Sequence, residues 1–351
     1  VASEKERQIS PDVSDADLDA LIEGNSTFAF ELYRLLAERE GNQNLFYSPY
    51  SVSLALAMTH AGARGETEEQ MAEALRFVLS QEKLHPAFNV LDQELAQRGE
   101  GAEGKDDADK EHPEGFRLNV ANAIWGQKDY QFLDTFLDVL AENYGAGLRI
   151  LNFAEAPEES RVTINDWVSE QTEGKIENLI PEGSIDPLTR LVLTNAIYFN
   201  AAWASPFEEE ATQEGSFTLL DGSEVSVPMM HQTESFDFAE GEGYQAIELP
   251  YDGREMSMVI VVPEEGQFEA FEESLDAARV EAIIEHLDRR QVALTMPTFE
   301  FDARFSLKET LAALGMPQAF SGAADFSGMT GEKDLFISDV FHKAFVSVDE
   351  A

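Results

Sequence analysis

The stretch that most restricts this chain is Leu188 to Trp203, LTRLVLTNAIYFNAAW. From Leu191 to Phe199 it is almost continuously apolar and rich in β-branched and aromatic residues, which predicts a long strand buried on both faces. Asn195 breaks the pattern. It shares a face with Leu193 and Ile197, so its amide points into apolar surroundings. An amide buried without partners costs about 2–7 kcal/mol, so other buried polar groups have to meet it. Ser48, Ser51 and His342 are the candidates elsewhere in the chain.

At 351 residues and 43% hydrophobic content the chain can build a sizeable core. Its charge is extreme: 68 acidic residues against 24 basic ones give −44. Such a field repels nucleic acid, heparin-like polyanions and anionic membranes. The acids are spread along the whole sequence, which reads as solvation for concentrated salt and predicts a monomer rather than a specific acidic patch. There is no Cys, hence no disulfide, thiolate metal site or cysteine nucleophile. No apolar run approaches the ~20 residues that span a bilayer. The first residues, VASEKERQIS, contain no signal-peptide core.

Residues 1–23 read as a flexible acidic arm and residues 24–351 as a single domain. A helix is expected from Asn25 to about Glu40. Ser48 is a good N-cap and Pro49 suits the first position of a second helix, which is apolar from Val52 to Ala61. Thr67 to Gln70 has a capping-box pattern for a third, carrying Met71, Leu75 and Val78. Another helix is expected over 82–97, a strand over 116–126, a helix over 132–143 and a short strand over 148–153. Pro157 to Thr172 reads as a helix with Val162, Trp167 and Val168 as its stripe. Beyond the central strand, residues 215–262 alternate strands with Gly turns, which predicts antiparallel sheet. Phe268 to Arg290 gives one or two helices, Val292 to Phe301 a strand and Leu307 to Leu314 a short helix. The final stretch, LFISDVFHKAFVSVDEA, reads as a long strand with Val340, His342, Ala344, Val346 and Val348 on one face. Helices early and strands late indicate one large α+β domain.

Catalytic signals are missing. Gly99, Gly101 and Gly104 fit a dinucleotide pattern and Gly99 to Lys105 most of a P-loop. The segment follows a helix, however, and Asp106 stands where Ser or Thr would hold magnesium. Its carboxylates would repel phosphate, so it reads as a solvated loop. There is no G-x-S-x-G or H-E-x-x-H, and the six His are scattered without ligand spacing. Neither a catalytic residue, a metal nor a cofactor is expected.

Together, NLFYSPYSVSLALAMTHAGARGETEEQM, LNVANAIWGQ, INDWVSEQTEGKIENLI, LTRLVLTNAIYFNAAWASPF, VPMMHQT, ELPYDGREMSMVIVVP, LGMPQAFSGAADFSGM and LFISDVFHKAFVSVDEA resemble the serpin family, in family order. The resemblance implies an α+β fold of three β-sheets with eight or nine helices, whose large central sheet accepts a reactive loop as an extra strand. It makes Leu188 to Ala201 the third strand of that sheet and Leu335 to Val348 the fifth, with the Pro157 to Thr172 helix lying across it. It gathers Ser48, Ser51, Asn195 and His342 in the region called the shutter, and sets Trp203, Glu350 and Ala351 at the breach and hinge.

The implied activity is irreversible suicide inhibition of serine, or cysteine, proteases, with a target protease as partner. The alternative is a non-inhibitory serpin acting as chaperone or carrier. The resemblance also departs in places. The sequence ends before the family's reactive loop and C-terminal strands, Ala351 stands where Glu is usual, and Asn200-Ala201 replaces Lys-Gly. A prokaryotic, salt-adapted source and an extracellular or periplasmic location complete the expectations.

Overall fold

The computed structural model describes residues 1–98 and 117–351. The Gly-rich segment considered above as a nucleotide loop lies outside them. The chain clusters into two compact units: Val1–Leu95, Asn119–Tyr198 and Asp302–Phe345, then the described part of Ala96–Leu118 with Phe199–Phe301 and Val346–Ala351.

In the first unit, α1 (Asp15–Glu40) begins ten residues before the Asn25 expected from sequence. Ser14 is its cap, accepting from the Asp17 N–H, and Leu21 is already buried. The expected flexible arm over 1–23 is therefore corrected. Its second half is helix, and its first half is fastened: Arg7 bonds Asn89 at 2.8 Å and Asp92 at 2.6 Å, and Gln8 N–H reaches Glu142 O at 2.8 Å. Gly24, inside the helix, is required by packing. A Cβ at Gly24 would lie 2.3 Å from the backbone oxygen of Arg76, itself at φ 58°.

Helix α2 (Pro49–His60) starts at the Ser48 cap with Pro49 in its first turn, and ten consecutive residues from Ser51 are buried. Helix α3 (Gly65–Ala74) starts before Thr67, which is not its cap. The Thr67 hydroxyl instead accepts from the Asp325 N–H at 2.9 Å. Val78 lies past the helix and is 73% exposed, while Phe77 takes the buried position. Helices α4 (Gln81–Arg98), α5 (Asp134–Tyr144) and α6 (Pro157–Gln171) follow.

The α6 stripe is turned from its expected phase. Ser160, Ile164, Asn165 and Val168 are buried and Val162 faces out. The cause is Asn165, whose amide exchanges two hydrogen bonds with the Ile180 backbone, at 3.0 and 2.8 Å.

These helices enclose a five-stranded sheet. Its strands are β1 (Arg117–Gln127), β2 (Arg149–Leu151), β3 (Leu191–Asn200), β9 (Phe299–Ser306) and β10 (Ile337–Val348), in the order β2-β1-β3-β10-β9. Strands β3 and β10 are direct, parallel neighbours from Leu191↔Ile337 to Tyr198↔Phe345. One face of this pair, with Leu191, Leu193, Ile337 and Val340, packs in the same core as α2. The other, with Val192, Ala196 and Phe341, packs with Ile164 and Val168 of α6. This two-sided cover is why Leu191 to Tyr198 is buried without interruption.

The second unit is built on β4 (Gln213–Thr218), β5 (Glu224–Gly241), β6 (Tyr244–Pro250), β7 (Ser257–Pro263) and β8 (Asp288–Pro297), all antiparallel. The strand expected over 292–301 is two: β8 starts at Asp288, shortening the preceding helical region to α7 (Phe268–Glu273) and α8 (Ala277–Glu285), and β9 starts at Phe299. The short helices α9 (Lys308–Ala313) and α10 (Ser327–Thr330) belong to the first unit. Two sheets are formed among the described residues.

Candidate functional site beneath the paired strands

Asn195 and His342 are Cα partners across the β3–β10 seam, and both are fully buried. His342 Nδ1 bonds Asn195 Oδ1. Ser51 Oγ donates to the same oxygen at 2.9 Å. On the far side of the imidazole, the Ser48 backbone N–H donates to Nε2 at 3.2 Å. Ser48 Oγ accepts from the Ser51 N–H at 3.2 Å, so the α2 cap and the cluster are the same structure. Phe305 of β9 lies parallel to the imidazole, ring centres 6.2 Å apart.

Sequence reasoning missed one member. Asn122 of β1 accepts from Asn195 Nδ2 through its Oδ1 and donates to the Ser51 carbonyl at 3.2 Å. The signal was available: Asn122 is in phase with Ile124, a polar residue on the core face of a strand, as Asn195 is on its own.

These bonds satisfy both atoms of the Asn195 amide and both ring nitrogens of His342 inside an apolar core, which removes the cost of burying them. They also tie the start of α2 to three neighbouring strands. Burial holds the imidazole neutral, pushing its pKa down to about 3.

A second fastening lies over the seam. The ammonium of Lys175, on the segment leading from α6 to β3, sits 6.0 Å from the Tyr198 ring and 5.8 Å from the Phe345 ring, which are partners across the seam. Lys343 of β10 donates to the Glu177 carbonyl at 3.2 Å and pairs with Asp302 at 3.2 Å.

Trp203, Glu350 and Ala351 lie in the second unit. Trp203 Nε1 donates to Asp349 O at 2.9 Å, and its ring stacks on Tyr251 with centres 5.0 Å apart. Glu350 O accepts from the Phe207 N–H at 2.9 Å and its carboxylate from Thr212 Oγ1 at 2.6 Å. Ala351 is exposed, and its N–H reaches Asp349 Oδ1 at 3.1 Å.

The family model described as Serpin (serine protease inhibitor) matches residues 23–351. The chain is a serpin. Bovine leukocyte elastase inhibitor is 39% identical to this serpin over 346 residues, covering 95% of this chain and 86% of the relative. An uncharacterised serpin-like protein of the archaeon Thermococcus kodakarensis is 38% identical, covering 93% and 72%. Among solved structures, uncleaved ovalbumin superposes with a TM-score of 0.85 at 28% identity, covering 95% of this chain and 87% of that one. Human thyroxine-binding globulin complexed with thyroxine gives 0.84 at 30% identity over the same shares. The description of the matching family is that of serine protease inhibitors.

Proposed function

We propose that this serpin is an irreversible suicide inhibitor of serine proteases. The observation that carries this reading is the direct parallel pairing of β3 and β10 across the Asn195–His342 contact. Two parallel neighbours can part to admit one antiparallel strand between them. Each strand then keeps a full ladder on the opened side, so the change gains hydrogen bonds and buried surface instead of losing them.

In this reading a protease serine attacks the reactive loop that follows the hinge, its acyl ester forms and the new amine end departs. The loop then enters the seam with the protease still attached. Ser48, Ser51, Asn195 and His342 act as the shutter, joined by Asn122. Trp203, Glu350 and Ala351 act as breach and hinge. The names of the leukocyte elastase inhibitors support a serine-type target. The charge of −44 supports a salt-adapted, monomeric protein; a prokaryotic origin and a place outside the cytoplasm belong to the same proposal.

The second reading is a carrier or chaperone, favoured by the similarity to a globulin complexed with thyroxine. The deciding experiment mixes full-length protein with an elastase-like protease. A complex that survives boiling in SDS, and a melting temperature raised by tens of degrees after loop cleavage, support inhibition. Cleavage with neither effect would establish the carrier reading.

A further inference from the structure

Residues 1–8 lie across α4 and α5. Ser3, Lys5 and Arg7 reach those helices, while Glu4 and Glu6 between them are exposed. That alternation is the period of an extended strand. We propose that this segment is a clasp that holds the β3–β10 seam closed, acting through Asp92 and Tyr50 on the first turn of α2. It rests on the reading above that the seam can part.

The first support is a seat made for the segment. Leu148 N–H donates to Val1 O at 2.9 Å, and a Cβ on Gly147 would lie 2.9 Å from that same oxygen. Ser3 bonds Asp138, and Lys5 pairs with Glu142 at 3.3 Å, both on α5. On α4, Asn89 is fully buried. Its amide accepts from Arg7 at 2.8 Å and donates to Gln8 O at 2.8 Å. A buried amide needs partners, and residues 1–8 supply two of them.

The second support is the route inward. Arg7 donates to Asp92 Oδ2 at 2.6 Å, and Tyr50 donates to Oδ1 of the same carboxylate at 3.1 Å. Tyr50 stands in the first turn of α2, between its cap Ser48 and Ser51. Those two serines hold His342 and Asn195 at the seam. Burial first, and the Asp92 charge second, push the Tyr50 pKa up, so its hydroxyl keeps the proton that it donates. Clasp and seam therefore bear on one helical turn.

The third support is that the segment can leave. Its ion pairs, Lys5–Glu142 and Arg7–Asp92, are partly exposed and of a kind that contributes little singly. Ile9, beside the seat, is 84% exposed, and residues 9–13 join the clasp to α1 outside helix and strand. Release thus costs contacts along one short segment and leaves α1 folded.

The test compares full-length protein with a variant lacking residues 1–8, with Arg7→Gln and with Tyr50→Phe, by amide hydrogen exchange. Removal should speed exchange of the β3 and β10 amides at the seam at least tenfold, with β5 and β6 of the second unit unchanged. Arg7→Gln and Tyr50→Phe should each give part of that acceleration. Combined, they should give no more than the larger alone, because they cut one chain of contacts. Acceleration confined to α4 and α5, equal acceleration in β5 and β6, no effect of either substitution, or additive effects of the two would overturn the proposal. The same proteins are then mixed with the elastase-like protease. If none of them forms an SDS-stable complex, the inhibitory reading alone is lost, and the exchange rates still decide the clasp.

Discussion

The backbone N–H of Ser48 points at Nε2 of His342 from 3.2 Å, and this one bond sets the proton on the imidazole. A backbone N–H can only donate, so Nε2 is the bare nitrogen and Nδ1 carries the hydrogen that Asn195 Oδ1 receives. Helix α2 thus dictates how the two central strands hold each other.

Deleting any member should strand its partners. His342→Ala leaves the Ser48 N–H without its acceptor and removes one of the two donors to Asn195 Oδ1, besides opening a cavity. A loss of at least about 1–3 kcal/mol is expected from urea unfolding, with faster self-association by size-exclusion chromatography. Asn122→Ala should show a smaller loss of the same kind. An unchanged unfolding midpoint for both would dissolve the network as a stabilising unit.

Acid should weaken the fold through its buried histidines. Burial pushes His342 and His85 down to about 3 and His60 to about 4, against about 6.5 in the unfolded chain. A depressed histidine favours the neutral folded form. Its contribution is complete above pH 6.5 and is lost as pH falls toward 3–4, where the unfolded chain binds protons that the fold refuses. Each such site contributes a slope of about 1.4 kcal/mol per pH unit. Urea midpoints between pH 7 and 4.5 should fall, and His342→Asn should fall less steeply. Parallel curves would remove His342 from the account.

How much of this was legible in sequence depended on periodicity. The alternation around Asn195 and His342 identified polar residues on core faces, and Ser48-Pro49 marked a helix start, because these signals are local. Asn122 carried the same signal in LNVANAIWG and was passed over as an ordinary strand residue. The start of α1 was missed because residues 1–23 are polar and acidic, whereas Leu21 is buried and Gly24 is packed against the Arg76 carbonyl, a contact that spans 52 positions of chain. The phase of α6 was lost for a related reason. Asn165 is buried to hold the Ile180 backbone, and no hydrophobic count rewards an asparagine. The cluster around Trp203 is aromatic stacking and backbone bonding between distant segments, which spacing does not encode.

Lys175 should govern how readily the seam parts. Its ammonium spans Tyr198 and Phe345, at the register where the two strands are last paired in the first unit. Lys175→Met keeps the aliphatic stem and removes the charge. An exposed cation over aromatic rings contributes about 0.5–1 kcal/mol, so the melting temperature should fall slightly while full-length protein accepts an added loop peptide several-fold faster. An unchanged rate of peptide incorporation would make this contact incidental.

Salt should stabilise the fold. At −44 the compact state repels itself, and the screening length shrinks from about 10 Å at 0.1 M to about 3 Å at 1 M. The melting temperature is expected to rise by several degrees between 0.1 and 2 M KCl. A flat or falling curve would end the proposal of salt adaptation.

Asn195 and His342 are neighbours in space but lie 147 positions apart in the chain. At synthesis rates of about 5–20 residues per second, β3 leaves the ribosome roughly 7–30 s before the partner that will lie beside it. During that interval a long apolar strand has one unclaimed edge, open to pairing with any other nascent copy. The amide in its middle then serves as a gatekeeper. Ser51 and Asn122 are already made, so a stranger's strand that buries Asn195 must supply the hydrogen bond that His342 gives, and mispairing is penalised until the proper neighbour is made.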